Sequence, residues 1–188
     1  VPGAGKTNTL LALHCLMRLR IQGLHLLVIC PKNALDSWDK EVEVCLSSED
    51  KVMRLEGGVR RVTELLSMKP RISAISYQQL RTCTSEISHF LRTNRVHLVL
   101  DESHRIKAGP RSIQGSAALQ LAQFAARRDI LSGTPMPQGL SDLEPQFEFL
   151  WPGKRLVGEL SEGDEETLVR LANEKIRPLY VRTTKSEL

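Results

Sequence analysis

Apolar residues fall in short continuous runs separated by stretches with helical spacing. The runs at Leu24–Cys30, Val52–Leu55, Ile72–Ser76, Val96–Asp101 and Asp129–Ser132 predict strands. They lack polar alternation, so these strands should be covered on both faces, as in a parallel sheet. Helices are predicted near Ala34–Cys45, Val59–Ser67, Ser85–Arg92 and Ser112–Ala126. An earlier run, Thr9–Ile21, is apolar nearly all round and stops at Gly23, which predicts a buried helix. Strands alternating with helices give an α/β fold with a doubly wound parallel sheet. Pro145 fits the first turn of a later helix, with Ser141 and Glu144 as a capping box. After Gly153 the pattern breaks into a solvated acidic loop (Glu159, Glu162, Asp164, Glu165, Glu166). The loop leads into a helix over Thr167–Ile176 with acids near its N-terminus.

Composition narrows this picture. A chain of 188 residues can bury the core of one domain, and 41% hydrophobic content excludes wholesale disorder. No apolar run approaches a membrane span, and no signal peptide is visible. The net charge of +4 permits a polyanionic partner. Cys15, Cys30, Cys45 and Cys83 show no CxxC spacing, which fits reduced thiols in a cytosolic compartment, with Cys15 and Cys30 as small core residues. His14, beside Cys15 on a buried helix without a second ligand pair, reads as a core histidine.

Three short motifs carry the chemistry. The strand Leu98-Val99-Leu100 ends in Asp101 and Glu102, followed by His104. Acids at the carboxyl edge of an open α/β sheet stand where ligands bind. Asp101 can hold Mg²⁺ through its waters, and Glu102 can orient and activate an attacking water. Gly3-Ala4-Gly5-Lys6-Thr7 matches the end of the P-loop pattern. Its glycines let backbone N–H groups cradle phosphates, Lys6 reaches the β- and γ-phosphates of ATP, and the Thr7 hydroxyl ligates Mg²⁺. Leu131-Ser132-Gly133-Thr134-Pro135 supplies small and hydroxyl residues able to couple that site to a second ligand. His104 is expected to hydrogen-bond Ser132 or Thr134.

In order and spacing, these motifs resemble the Swi/Snf-type DNA-dependent ATPases of helicase superfamily two. GAGKT resembles motif I, VICPKNALDSWDKEV (Val28–Val42) motif Ia, and the segment Ile72–Leu80 ending in ISYQQL the motif Ib region. LDESHRIK resembles motif II in its DExH form, Leu131–Gly153 motif III with its following helix, and Ile176–Leu188 the segment leaving the first lobe. Two departures, Met136-Pro137-Gln138-Gly139 after the Thr-Pro and Thr183 after Arg182, point to a bacterial or phage-related branch.

The resemblance implies the first RecA-like lobe of a P-loop NTPase, which uses ATP and Mg²⁺ and moves along double-stranded DNA. Residues 1–153 would form the lobe without its first strand. Residues 154–188 would form the acidic loop, helix and exit segment toward a second RecA-like lobe beyond the chain. It also implies a piece of a longer protein, cytoplasmic in a prokaryote or nuclear in a eukaryote, with no membrane association. Lys32, Asn33 and Ser37 in the motif Ia loop, and Gln138, are candidates for DNA phosphate contacts. Trp38 falls on the apolar side of its helix with Leu35 and Val42 and reads as a packing anchor, and Arg60 and Arg61 as a solvated face. Two other readings stand beside this one: a strand-separating DEAH-like helicase or restriction and phage-defence motor, and a degenerate nucleotide-binding scaffold. The intact Lys6, Asp101 and Glu102 count against the scaffold.

Overall fold

The computed structural model describes residues 5–46 and 50–154, and beyond them only positions 156, 170, 174, 179 and 181. Gly3, Ala4, the acidic loop and most of both the helix expected at Thr167–Ile176 and the exit segment lie outside the described residues.

Five parallel strands form one sheet in the order β2-β3-β1-β4-β5: β1 (His25–Cys30), β2 (Val52–Arg54), β3 (Ile72–Ser76), β4 (Val96–Asp101) and β5 (Arg127–Leu131). The helices are α1 (Lys6–Arg20), α2 (Leu35–Cys45), α3 (Gly58–Ser67), α4 (Tyr77–Leu80), α5 (Thr84–Thr93), α6 (Ile113–Ala122) and α7 (Leu143–Leu150). Among the described residues no helix is long and apolar enough to cross a membrane.

Strand geometry builds two cores from one sheet, because successive side chains point to opposite faces. Leu26, Val28 and Cys30 pack with Leu10 and Leu11 of α1 and Leu35, Trp38 and Val42 of α2. Leu27 and Ile29 pack on the other face with Leu65 of α3, Ile87 of α5 and Leu121 of α6. The doubly wound expectation therefore holds. On the first face Arg54 of β2 pairs with Asp36 and Asp39, which ties α2 to the sheet's edge.

α1 departs from expectation. Only Leu10, Leu11 and His14 are buried, and Leu16 and Leu19 are exposed. One stripe of the helix meets the sheet, so its outward half remains open whatever its composition. Cys15 is correspondingly half-buried, whereas Cys30 is buried and its thiol is pushed up to about 12 by burial, with Asp101 adding to the shift. His14 is a core residue as expected, with its ring stacked on His97.

Two smaller differences concern helix starts. The Ser141–Glu144 capping box does not form: α7 begins at Leu143, and its N-cap, Asp142, makes no side-chain cap bond. α4 was not anticipated, because four residues show no periodicity; Ser76 Oγ starts it by accepting the Gln79 N–H.

The connection that follows β4 is packed without slack. A Cβ placed on Gly115 of α6 would lie 2.2 Å from the Gly109 carbonyl oxygen. Only glycine lets this helix approach the turn at Gly109–Arg111.

Candidate nucleotide site

β1 and β4 are neighbours at the centre of the sheet, with Ile29 paired to Leu100. From β1 the chain goes to the edge strand β2 and returns to β3 between them, then crosses to β4 and β5 on the other side. The carboxyl ends of β1 and β4 thus flank the switch point where open α/β sheets bind ligands. Asp101 ends β4 there, and the loop carrying Lys32 follows β1.

α1 points its N-terminus at the same edge. Gly5 at its N-cap is left-handed, with φ of +67°, and no side chain caps the helix. Uncapped N–H groups and the positive end of the helix dipole suit a phosphate. Lys6 Nζ lies 3.7 Å from Glu102 Oε1, which joins the first motif to the second across 96 residues of sequence. Thr7 sits beside it in the first turn of the helix.

Glu102 is strained. Its φ of +52° is left-handed, a conformation costing a non-glycine residue of order 1–3 kcal/mol. Its carboxylate reaches Lys6 with one oxygen and His104 Nδ1, at 3.3 Å, with the other. His104 Nδ1 also lies 3.3 Å from Ser132 Oγ, and Ser132 Oγ accepts the Thr134 N–H at 3.2 Å. Lys6, Glu102, His104, Ser132 and Thr134 therefore form one contiguous polar chain, while Gly133 is exposed.

Asp101 is held from three elements. Oδ2 accepts the indole N–H of Trp38 at 3.0 Å, Oδ1 accepts the Glu102 N–H at 2.9 Å, and its carbonyl accepts the Tyr77 hydroxyl at 2.9 Å. Burial raises the Asp101 carboxyl above its ordinary range; the Trp38 N–H opposes this, Glu102 reinforces it, and Lys6 opposes it. Such a carboxylate gains from a cation nearby. Among the described residues no three His, Cys, Asp or Glu side chains converge as a metal cluster. The oxygens on offer, from Thr7 and Asp101, are hard donors that fit Mg²⁺ shared with phosphates and water.

A second clamp closes motif II onto the Ser132–Thr134 loop. Ser103 Oγ donates to Gln146 Oε1 at 2.6 Å, and Gln146 Nε2 donates to the Pro135 carbonyl at 2.7 Å and the Asp142 carbonyl at 2.8 Å. Asp142 Oδ2 accepts the Gln138 N–H at 2.7 Å.

Residues 2–188 match the family model described as SNF2-related domain. The chain belongs to the SNF2-related domain family. Within its relatives, the DNA repair protein RAD5A of Arabidopsis thaliana is 29% identical over 177 residues, covering 85% of this chain and 17% of that protein. The ISWI chromatin-remodeling complex ATPase ISW1 of Saccharomyces cerevisiae is 25% identical over 177 residues, covering 86% and 15%. The human DNA excision repair protein ERCC-6-like is 27% identical over 213 residues, covering 99% and 17%. This SNF2-related domain thus spans under a fifth of each of these three relatives. In fold it is similar to the Sulfolobus solfataricus SWI2/SNF2 ATPase core in complex with dsDNA, with a TM-score of 0.75 and 23% identity over 98% of this chain and 39% of that one.

The remaining candidates stand apart from the polar chain. Lys32, Asn33 and Ser37 are exposed on and just beyond the turn after β1, and Gln138 is exposed beyond Thr134. Arg60 and Arg61 are exposed and paired with Glu64. Sequence reasoning took Trp38 as packing, which it is, but missed its bond to Asp101. It also missed Tyr77 and Gln146. Gln146 did leave a signal: a polar residue on the buried face of α7 between Leu143 and Phe147.

Proposed function

We propose that this domain is the ATP-binding lobe of a DNA-dependent ATPase that couples hydrolysis to movement along double-stranded DNA. The polar chain Lys6–Glu102–His104–Ser132 carries the reading, because it joins a lysine suited to phosphate, a carboxylate suited to activating water and the Ser132–Thr134 loop in one line. Lys6 and the first N–H groups of α1 hold the β- and γ-phosphates, displacing the lysine from Glu102. Glu102, freed of Lys6, accepts a hydrogen bond from the attacking water and takes its proton. Thr7 and Asp101 would hold Mg²⁺, which supplies neutralisation of charge on the phosphate oxygens. His104 reports the state of Glu102 to Ser132 and onward to Thr134. Groups of a second RecA-like lobe, which the resemblance implies, would complete the site.

The exposed Lys32, Asn33, Ser37 and Gln138 would meet phosphates of the duplex, which gives sequence-tolerant binding that weakens with salt. The test of movement uses the full-length protein. Displacement of a third strand from a triplex, without separation of the duplex beneath, is the expected result. Robust unwinding with a single-strand preference favours the strand-separating alternative instead.

A further inference from the structure

Trp38 stands on α2 and Asp101 ends β4, 63 residues later, yet the indole N–H meets Oδ2 at 3.0 Å. Trp38 is only 2% exposed and packs among Leu35, Val42 and Val28. An apolar side chain could fill that volume. The indole adds a donor that must find a partner when buried, and here the partner is the carboxylate at the nucleotide edge. Glu102 N–H holds the other oxygen, so the carboxylate plane is fixed at two points. Each oxygen keeps a second lone pair for a further ligand.

We infer that Trp38 is a positioning residue for the cation-binding carboxylate: its N–H fixes the orientation of Asp101 toward Mg²⁺-nucleotide and ties that orientation to the loop after β1. The inference rests on the nucleotide-site reading above. An indole has two side-chain torsions, so a shift of α2 moves Asp101 with little loss in between. Ser37 adjoins Trp38, and Lys32 and Asn33 lie in the short turn that leads into α2. A phosphate bound on this exposed loop therefore bears on α2 and, through one rigid side chain, on the Mg²⁺ carboxylate.

The experiment measures equilibrium binding of a fluorescent ATP analogue to the full-length protein, titrated with Mg²⁺ and repeated in EDTA. Trp38→Phe keeps an aromatic ring and removes the N–H. Replacement of Trp38 by benzothienylalanine keeps the bicyclic shape without the donor, so that lost packing is not mistaken for lost positioning. Partners behind a metal ligand typically set about 10–100-fold in metal affinity. Both replacements should raise the half-saturating Mg²⁺ concentration about 10-fold, the low end of that range, and leave binding in EDTA unchanged. In an Asp101→Asn background the same replacements should change nothing further. Lys6→Ala should weaken binding with and without Mg²⁺. Unchanged Mg²⁺ dependence in the benzothienylalanine protein, with Lys6→Ala behaving as stated, overturns the role of Trp38 alone. Lys6→Ala binding ATP as well as the parent overturns the nucleotide site itself.

Discussion

Lys6 Nζ rests 3.7 Å from Glu102 Oε1, so the group that should bind phosphate neutralises the group that should activate water. In this arrangement Glu102 is occupied, and on the proposed function a nucleotide would draw the lysine away. Both side chains are partly exposed, so the contact is a weak one that a phosphate can replace.

Substitutions at the two ends of this pair should separate binding from turnover. Lys6→Ala should lose ATP binding, whereas Glu102→Gln should bind ATP and lose hydrolysis by about 10²–10⁴-fold, the usual contribution of a general base. Nucleotide affinity and steady-state phosphate release, measured on both variants with circular dichroism as the fold control, check this. Equal loss of binding in both would place Glu102 in the phosphate cradle instead.

His104 lies between Glu102 and Ser132 at 3.3 Å from each partner. Removing it with His104→Ala breaks the line to the Thr134 loop without touching Lys6. A hydrogen bond of about 1 kcal/mol corresponds to about a fivefold coupling. Stimulation of hydrolysis by duplex DNA should fall about fivefold, while hydrolysis without DNA changes less. Loss of the basal rate with intact stimulation would contradict a coupling role.

Gly115 tests the packing that supports motif II. The Cβ of Gly115→Ala would meet a backbone carbonyl oxygen at 2.2 Å, so α6 or the Gly109–Arg111 turn must move. Overpacking of this kind costs typically about 1–3 kcal/mol. Urea unfolding should show a lower midpoint at unchanged slope.

Much of this fold is legible in the chain because β1, β3 and β4 are mostly apolar, as a strand covered on both faces tends to be, with the buried Ser73 and His97 among the exceptions. β5 is harder to read: it begins at Arg127, and its charged residues are satisfied by contacts distant in sequence, such as Arg128 with the Leu150 carbonyl and Asp129 with His97. In the proposed site, the meeting of Lys6 and Glu102 beside Asp101 is anticipated because phosphate chemistry would call for these residue types at this spacing. Trp38 and Gln146 are not, since each acts through a contact made only after the sheet assembles. Exposure of Leu16 and Leu19 is likewise a matter of which neighbour α1 lacks on its outer side, which composition does not encode.

The buried histidines predict a pH dependence. His14 Nδ1 lies 3.2 Å from His97 Nδ1, and His97 Nε2 lies 2.7 Å from Asp129 Oδ2, itself bound by Arg127. Burial pushes His14 down to about 3, with His97, Arg18 and His25 adding repulsion. Burial would raise Asp129, but the bonds from His97 and Arg127 outweigh it and hold the carboxyl below its ordinary value. The folded protein therefore keeps His14 neutral while the unfolded chain protonates it below its ordinary 6.5. This contribution to stability is intact above pH 6.5 and is lost as pH falls toward 3, by about 1.4 kcal/mol per pH unit at most. His14→Gln retains a hydrogen-bonding group opposite His97 and cannot ionise. Between pH 7.5 and 5.5 the parent should lose more unfolding free energy than this variant. Parallel losses would mean that His14 is protonated in the fold.

Duplex-coupled hydrolysis is tested by the rate of phosphate release from the full-length protein with Mg²⁺-ATP alone, with single-stranded DNA and with duplex DNA of equal length, beside the Glu102→Gln variant. Duplex DNA should raise the rate above both other conditions, and Glu102→Gln should abolish the rise. A rate that ignores DNA, or that survives the loss of the Glu102 carboxylate, would contradict duplex-coupled hydrolysis at this site.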